Sequence, residues 1–200
     1  MKKSEKTELT VSKIMKTAIT EFGTNGYVGS SLNNICKSGI NKGLIYHNFR
    51  DKDALYLKFM EKSRKRFVSL IEESDCLSDL VKYMNVRMSF FREYPHEAHI
   101  FFEAVLQPQK HLWHEIKEIL QPFYEINETV YRSVVSNVEL RDGITENEAV
   151  EYFRLIQRMF NGYFSSQNMS LDEQVNKHET NLPKMLNFML YGIARGGNEK

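Results

Sequence analysis

Between Ser31 and Lys52 the chain reads SLNNICKSGINKGLIYHNFRDK, a stretch dense in side chains able to hydrogen-bond a nucleic acid. Lys42 can donate to guanine, and Asn41 can pair with adenine. The Ser31 hydroxyl, together with the free N–H groups of a helix start, can hold a phosphate. Asn41, Lys42, Tyr46 and His47 fall on or near one solvent side. Tyr46 also reads as a packing residue and Asn41 as an N-cap, and either role is compatible with a nucleic-acid contact.

Two His-x2-His pairs, His96/His99 and His111/His114, are the other chemical candidates. Spacing of three puts each pair on one helix face. With Glu97, Glu103 or Glu115 beside them they have the donors of a metal site. Exposed or hydrogen-bonding histidines are the plainer reading and the one adopted, so no metal and no cofactor is assigned. Cys36 reads as a small core residue and Cys76 as a residue at a helix junction. Two cysteines make neither a disulfide framework nor a metal cluster. Glycine-rich phosphate loops, H-E-x2-H and nucleophile elbows are missing from the sequence, so no catalytic residue is assigned and the chain is read as a non-enzyme. The best enzymatic alternative is an all-α hydrolase using the His/Glu cluster from His96 to Glu103.

The elements that must position these residues are helices. Leu32 and Ile35 mark one short segment; Ile40, Leu44 and Ile45, followed by Phe49, mark the next. Gly39 between them is a left-handed turn position. Two short helices about such a turn read as helix-turn-helix, whose second helix enters the DNA major groove. Before them, Val11, Ile14, Ala18 and Phe22 form one helical stripe, with Thr10 as its N-cap and Gly23 and Gly26 as its end. Residues 1–9 read as a frayed basic arm. Ser30 or Ser31 caps the second helix, and the third covers about 41–48. Val11, Ile14, Phe22, Leu32, Ile35, Ile40, Ile45 and Phe49 can share one small core.

A fourth helix is expected from Arg50-Asp51 to 72–75, with Leu55, Phe59, Ser63, Phe67, Leu70 and Ile71 on its apolar or small face. The run Arg64, Lys65, Arg66 is expected in solvent. Further helices are expected over 77–91, 98–106, 112–120, 123–140 and 146–164, then a helical turn over 170–177 and a last helix over 182–194 stopped by Gly196-Gly197. Pro122 marks a boundary or kink, and Thr145 with Glu148 makes a capping box. With no strand alternation and no repeat, the fold class is all-α: a three-helix head at 1–50 and a larger helical domain at 51–200.

Charge is unevenly distributed along the chain. Residues 1–66 hold 14 Lys/Arg against 6 Asp/Glu, a net of +8, while residues 67–200 hold 13 against 20, a net of −7. A basic head on an acidic body fits a polyanion-binding module joined to something else. No apolar run approaches a membrane span and the start is polar and charged, so a cytoplasmic protein without a membrane partner is expected.

The segment 14–59 resembles the DNA-binding domain of the TetR family of transcriptional regulators. The matching residues are Ile14, Ala18, Phe22, Gly26-Tyr27, Ser31 and Ile35, then Gly39-Ile40-Asn41-Lys42-Gly43, Tyr46-His47-Asn48-Phe49, Lys52 and Leu55. In one place the chain departs from the family pattern: nine residues run from Ile35 through Gly43, where the family has ten. A second helix about a third of a turn short, or a tighter turn, is expected. The resemblance implies a double-stranded palindromic operator, a homodimer and a small-molecule effector, with repression released by the ligand. It also implies base contacts from Asn41, Lys42, Gly43, Leu44 and His47, and phosphate contacts from Tyr46 and Lys52 beside Ser31. It places an effector pocket among the fourth to eighth helices, whose aromatic candidates are Tyr83, Phe90, Phe91, Phe102, Trp113, Phe123, Tyr124 and Tyr131. The last two helices carry more apolar residues than one stripe needs, and Phe153, Phe160, Phe164, Met185 and Met189 are expected at a two-fold seam. The rival with the same fold is a ligand- or protein-binding scaffold that no longer reads DNA.

Overall fold

The computed structural model describes residues 3–193. In chain order these form α1 (Lys3–Gly29), α2 (Leu32–Lys37), α3 (Lys42–Asn48), α4 (Lys52–Glu73), α5 (Leu80–Glu93), α6 (Pro95–Leu106), α7 (Trp113–Ser136), α8 (Glu146–Ser165) and α9 (Leu171–Ile193), with a 3-10 turn Lys110–Leu112 ahead of α7. The expected stop at Gly196-Gly197 and the first two residues of the expected arm lie outside the described residues. No described helix is long and apolar enough to cross a membrane.

The head closes around Ile14, Met15, Ala18 and Phe22 of α1, Ile35 of α2, and Ile40, Ile45 and Phe49, all buried. Val11 and Leu32 pack only partly against this core. Thr10 does not start α1; the helix begins at Lys3. Lys and Glu in residues 3–9 favour helix by propensity but show no apolar period, so the pattern marked only the part that packs. Gly26 breaks α1 with φ 65° and ψ −179°, a region that penalises a Cβ. Gly39 holds the helix-turn-helix turn at φ 87°.

α4 links head to body. Asp51 caps it, accepting from the Ala54 amide at 2.8 Å. Besides the expected face it buries Tyr56, Met60 and Val68, because it leaves α1 and then runs against α5, α6 and α7. Its basic run is not uniformly solvated: Arg66 pairs with the buried Glu97 at 3.1 Å and lies 4.3 Å over the Tyr94 ring. The body core is aromatic, with Phe67 against Phe90 at 5.0 Å between centroids and Phe101 edge-on to Phe123 at 5.1 Å.

Two expected helix breaks do not occur. α7 continues through Pro122, and α9 runs unbroken over Leu171–Ile193 where a turn at 170–177 and a separate helix from 182 were expected. A proline inside a helix loses one backbone bond. In α7 the buried set Ile116, Leu120, Phe123, Asn127, Val130 and Tyr131 keeps one face in register across Pro122, and that burial holds the two halves in line.

Candidate nucleic-acid interface

Ser31 caps α2, its hydroxyl accepting from the Asn34 amide at 3.1 Å. The Glu21 carboxylate also lies at this helix start. It accepts from the Ser31 amide at 3.1 Å and from Asn34 Nδ2 at 3.0 Å. The site expected to hold a phosphate through Ser31 therefore already holds a carboxylate of the chain itself. At the other end α2 stops after six residues. Ser38 and Gly39 then donate to Ile35 and Cys36, at 3.2 and 3.0 Å, in tight three-residue turns. This is the local form taken by the short spacing before Gly43.

Asn41 caps α3, its Oδ1 accepting from the Gly43 amide at 2.8 Å. That bond engages one lone pair of the oxygen a bidentate adenine contact would share, and leaves the amide NH2 as a free donor. Ile45 and Phe49 turn inward, while Asn41, Lys42, Gly43, Leu44, Tyr46 and His47 are all exposed. The Lys42 ammonium lies 5.9 Å from the Tyr46 ring centre. One side of a seven-residue helix thus carries a cation, a carboxamide, an imidazole and a phenol with no buried contact to lose.

Lys52 differs from that group. Its ammonium donates to the Tyr27 carbonyl at 2.6 Å and the Ser30 carbonyl at 2.9 Å, and it lies 4.0 Å over the Tyr27 ring. Burial pushes its pKa down, against neighbouring carboxylates. Lys52 closes the turn between α1 and α2. A lysine's partner is not encoded by its place in the sequence.

The head is tied to the body by α6. Beyond Gly26 the Tyr27 amide donates to both oxygens of Glu103, at 2.8 and 3.1 Å, and the Tyr56 hydroxyl donates to Oε2 at 3.2 Å. A Cβ on Gly26 would come within 2.9 Å of Glu103 Oε1. Burial raises the Glu103 pKa, although its hydrogen bonds pull the other way. The Tyr27 hydroxyl donates to Asp53 and lies 3.2 Å from His111 Nε2. Burial and Asp53 together push the Tyr27 pKa up. His99 Nδ1 meets the Gly23 carbonyl at 2.5 Å. The two His-x2-His pairs therefore split: His99 is buried, His111 lies beside Tyr27 and Asp53, and His114 pairs with Glu118 at 3.2 Å. No three His, Cys, Asp or Glu side chains gather as a metal site would need among the described residues.

A cleft of about 600 Å³ opens between the end of α6, α7 and α8. Of the aromatic pocket candidates it takes Trp113, Phe123, Tyr124 and Tyr131. Tyr83, Phe90 and Phe102 are buried core instead, and Phe91 stacks on Phe102 at 4.5 Å. Beneath the cleft runs a buried polar network that the sequence did not reveal. Arg87 donates to Glu179 at 2.7 and 3.1 Å. His178 bridges Glu179 and the cleft-lining Asn161, each at 2.8 Å. Burial acts to raise the Glu179 pKa, but Arg87 and His178 outweigh it and hold the carboxyl below its usual range.

The expected seam residues belong to the chain's own core. Phe153, Phe160, Phe164 and Met189 are buried, and Met185 is half-buried. The apolar side chains left open lie on the adjoining faces: Tyr152, Leu155, Met159 and Tyr163 of α8, with Phe188 and Tyr191 of α9. Met159 is 65% exposed and Phe188 75%. The two-sided apolar character of α8 was readable; which side faces inward was not, and the phenylalanines took the interior.

Residues 14–59 match the family model described as bacterial regulatory proteins, tetR family. No curated protein sequence matches the chain. Among solved structures, the fatty acid degradation regulator FadR from Bacillus halodurans superposes with a TM-score of 0.59 at 16% identity, covering 87% of this chain and 94% of that one. FadR from Bacillus subtilis, solved with stearoyl-CoA, gives 0.57 at 18% identity over 87% and 98%. A regulatory protein of the tetR family from Rhodococcus RHA1 gives 0.60 at 12% identity over 94% and 98%. At these identities the likeness is one of fold.

Proposed function

We propose, from the premise that residues 14–59 are a tetR-family regulatory domain, that the chain is a sequence-specific DNA-binding transcriptional regulator. It binds a palindromic operator as a homodimer and lets go when a small molecule fills the α6–α8 cleft. The observation that carries this reading is the open face of α3. Asn41, Lys42, Gly43, Leu44 and His47 stand clear of a helix whose far side is anchored by Ile45. Lys42 and His47 read base edges, Asn41 contributes its NH2, and Gly43 and Leu44 meet the groove wall. Tyr46 takes a phosphate.

The route from cleft to head is α6. Ala104 and Val105 line the cleft, and the adjoining Glu103 holds the Tyr27 amide. A ligand that binds one placement of α6 more tightly than another shifts the head with it; equal binding to both would shift nothing. The homodimer rests on the open α8 and α9 faces, which an isologous contact would cover.

A second reading, a ligand or protein scaffold without operator binding, is favoured by two observations. Glu21 fills the α2 helix start, and Lys52 is turned inward. Selection from random DNA followed by competition separates the two. The regulator yields a palindrome whose binding survives excess nonspecific DNA. Lys42→Ala then costs about 1–3 kcal/mol at that site and relaxes base preference. Failure to enrich any sequence would leave the scaffold.

A further inference from the structure

We propose that the α6–α8 cleft selects an uncharged, apolar molecule bearing a carbonyl oxygen, and that Asn127 is the group that recognises it. The inference rests on the reading of the cleft as the effector site and names the chemistry of what enters. Asn127 lines the cleft and is 4% exposed. Its Oδ1 accepts from the Tyr83 hydroxyl at 2.5 Å. Arg87 Nη1 donates to the Tyr83 oxygen at 3.4 Å, so the hydroxyl hydrogen is directed at Asn127. The carboxamide oxygen is thereby occupied, and Nδ2 is a buried donor with no hydrogen-bond partner among the described residues. A buried donor without an acceptor is costly, and an acceptor oxygen arriving with a ligand removes that cost.

The surroundings narrow the class. Ile116, Leu120 and Phe123 are apolar neighbours, with Trp113 and Tyr124 exposed at the mouth. The buried charges nearby, Arg87 and Glu179, already neutralise each other. Nothing buried there is left to compensate a carboxylate, which would lose its hydration on entering. The rim carries Lys117, Arg154 and Arg158 but also Glu125 and Glu128. Arg154 is held by Glu128 at 2.5 Å. That mixed rim exerts no strong pull for an anion. A neutral ketone, ester or lactone meets the demand: its oxygen accepts from Nδ2 while its hydrocarbon part covers the aromatic wall.

Trp113, the chain's one tryptophan, lines the cleft and reports occupancy through its emission. The full chain is titrated with 2-undecanone, 4-phenylbutan-2-one and δ-decalactone, and in parallel with undecanoate and 4-phenylbutanoate. Asn127→Asp, which keeps an acceptor for Tyr83, and Asn127→Leu are titrated alongside, with thermal unfolding to establish that each is folded. The expected result is saturable binding of at least one carbonyl probe, at least tenfold tighter than its carboxylate counterpart, and at least tenfold weaker in Asn127→Asp. Equal or tighter binding of the carboxylates, an unchanged carbonyl affinity in Asn127→Asp, or no response of wild-type Trp113 to any carbonyl probe would overturn the assignment. Should both variants fail to fold, the wild-type carbonyl-to-carboxylate ratio decides alone. Operator affinity is measured separately with and without the bound probe. A probe that binds through Asn127 yet leaves DNA affinity unchanged removes the effector reading and leaves the recognition chemistry standing.

Discussion

Glu103 combines burial, an acidic group and a backbone amide in one place. Its carboxylate serves the Tyr27 N–H and the Tyr56 hydroxyl, and alanine would leave both donors without that acceptor. A buried unsatisfied donor costs about 1–3 kcal/mol, so Glu103→Ala should lower the unfolding free energy in urea by at least that amount. Glu103→Gln keeps one acceptor oxygen and should lie nearer wild type. Because burial raises the pKa in the folded state, the protonated carboxyl is favoured by folding. Its stabilising contribution is complete below the unfolded value and is lost as pH rises through the raised one. Wild type should therefore lose ground to Glu103→Gln over that window. Urea curves for both proteins from about pH 4 to about pH 8 check this, and a constant difference across the series would refute it. Local bonds of this kind were legible where both partners lie within one turn. Ser31 with Asn34, and Thr145 with Glu148, are capping patterns that a sequence displays directly. Glu103 carries no such mark: its sequence neighbours suggested a His/Glu cluster, and only the fold supplies Tyr27.

At the level of elements, periodic burial was legible and its punctuation was less so. The capped starts of α2, α3, α4 and α8 were readable from Ser31, Asn41, Asp51 and Thr145. Pro122 misled, because a single lost backbone bond is outweighed when an apolar face continues on both sides of it. The paired helices α8 and α9 show the opposite case, an amphipathic pattern with two apolar sides. Their own core takes Phe153, Phe160 and Phe164, so substitutions there test folding and not association. Met159→Glu with Phe188→Glu places charge only on the open face. In a monomer that change is close to neutral, whereas in an apolar seam a carboxylate costs several kcal/mol unless paired or protonated. The double variant should remain folded by circular dichroism and fall to monomer mass in light scattering. Phe160→Glu should instead lose thermal stability outright. A wild type already monomeric at micromolar concentration would defeat the seam.

For the whole molecule, charge and symmetry act together. In the proposed regulator, residues 1–66 at net +8 against residues 67–200 at net −7 would orient the protein toward DNA before any base is read. Two heads fixed by one seam in the proposed homodimer would read half-sites only at the separation the seam dictates. Inserting two base pairs between the half-sites of the selected palindrome should then reduce affinity at least about 100-fold, since most contacts of one half-site are forfeited. Undiminished binding to the lengthened site would mean that the heads move independently. The bond between Tyr27 and Glu103 has a further consequence, in time. The two residues are 76 positions apart. At about 5–20 residues per second, a ribosome takes roughly 4–15 s to synthesise that interval. Helices and loops of the head's size form in microseconds. The nascent head therefore collapses early and waits, its Tyr27 amide without its acceptor, until α6 has been made. The hydrogen bonding at the end of α1 is completed only when α6 has emerged.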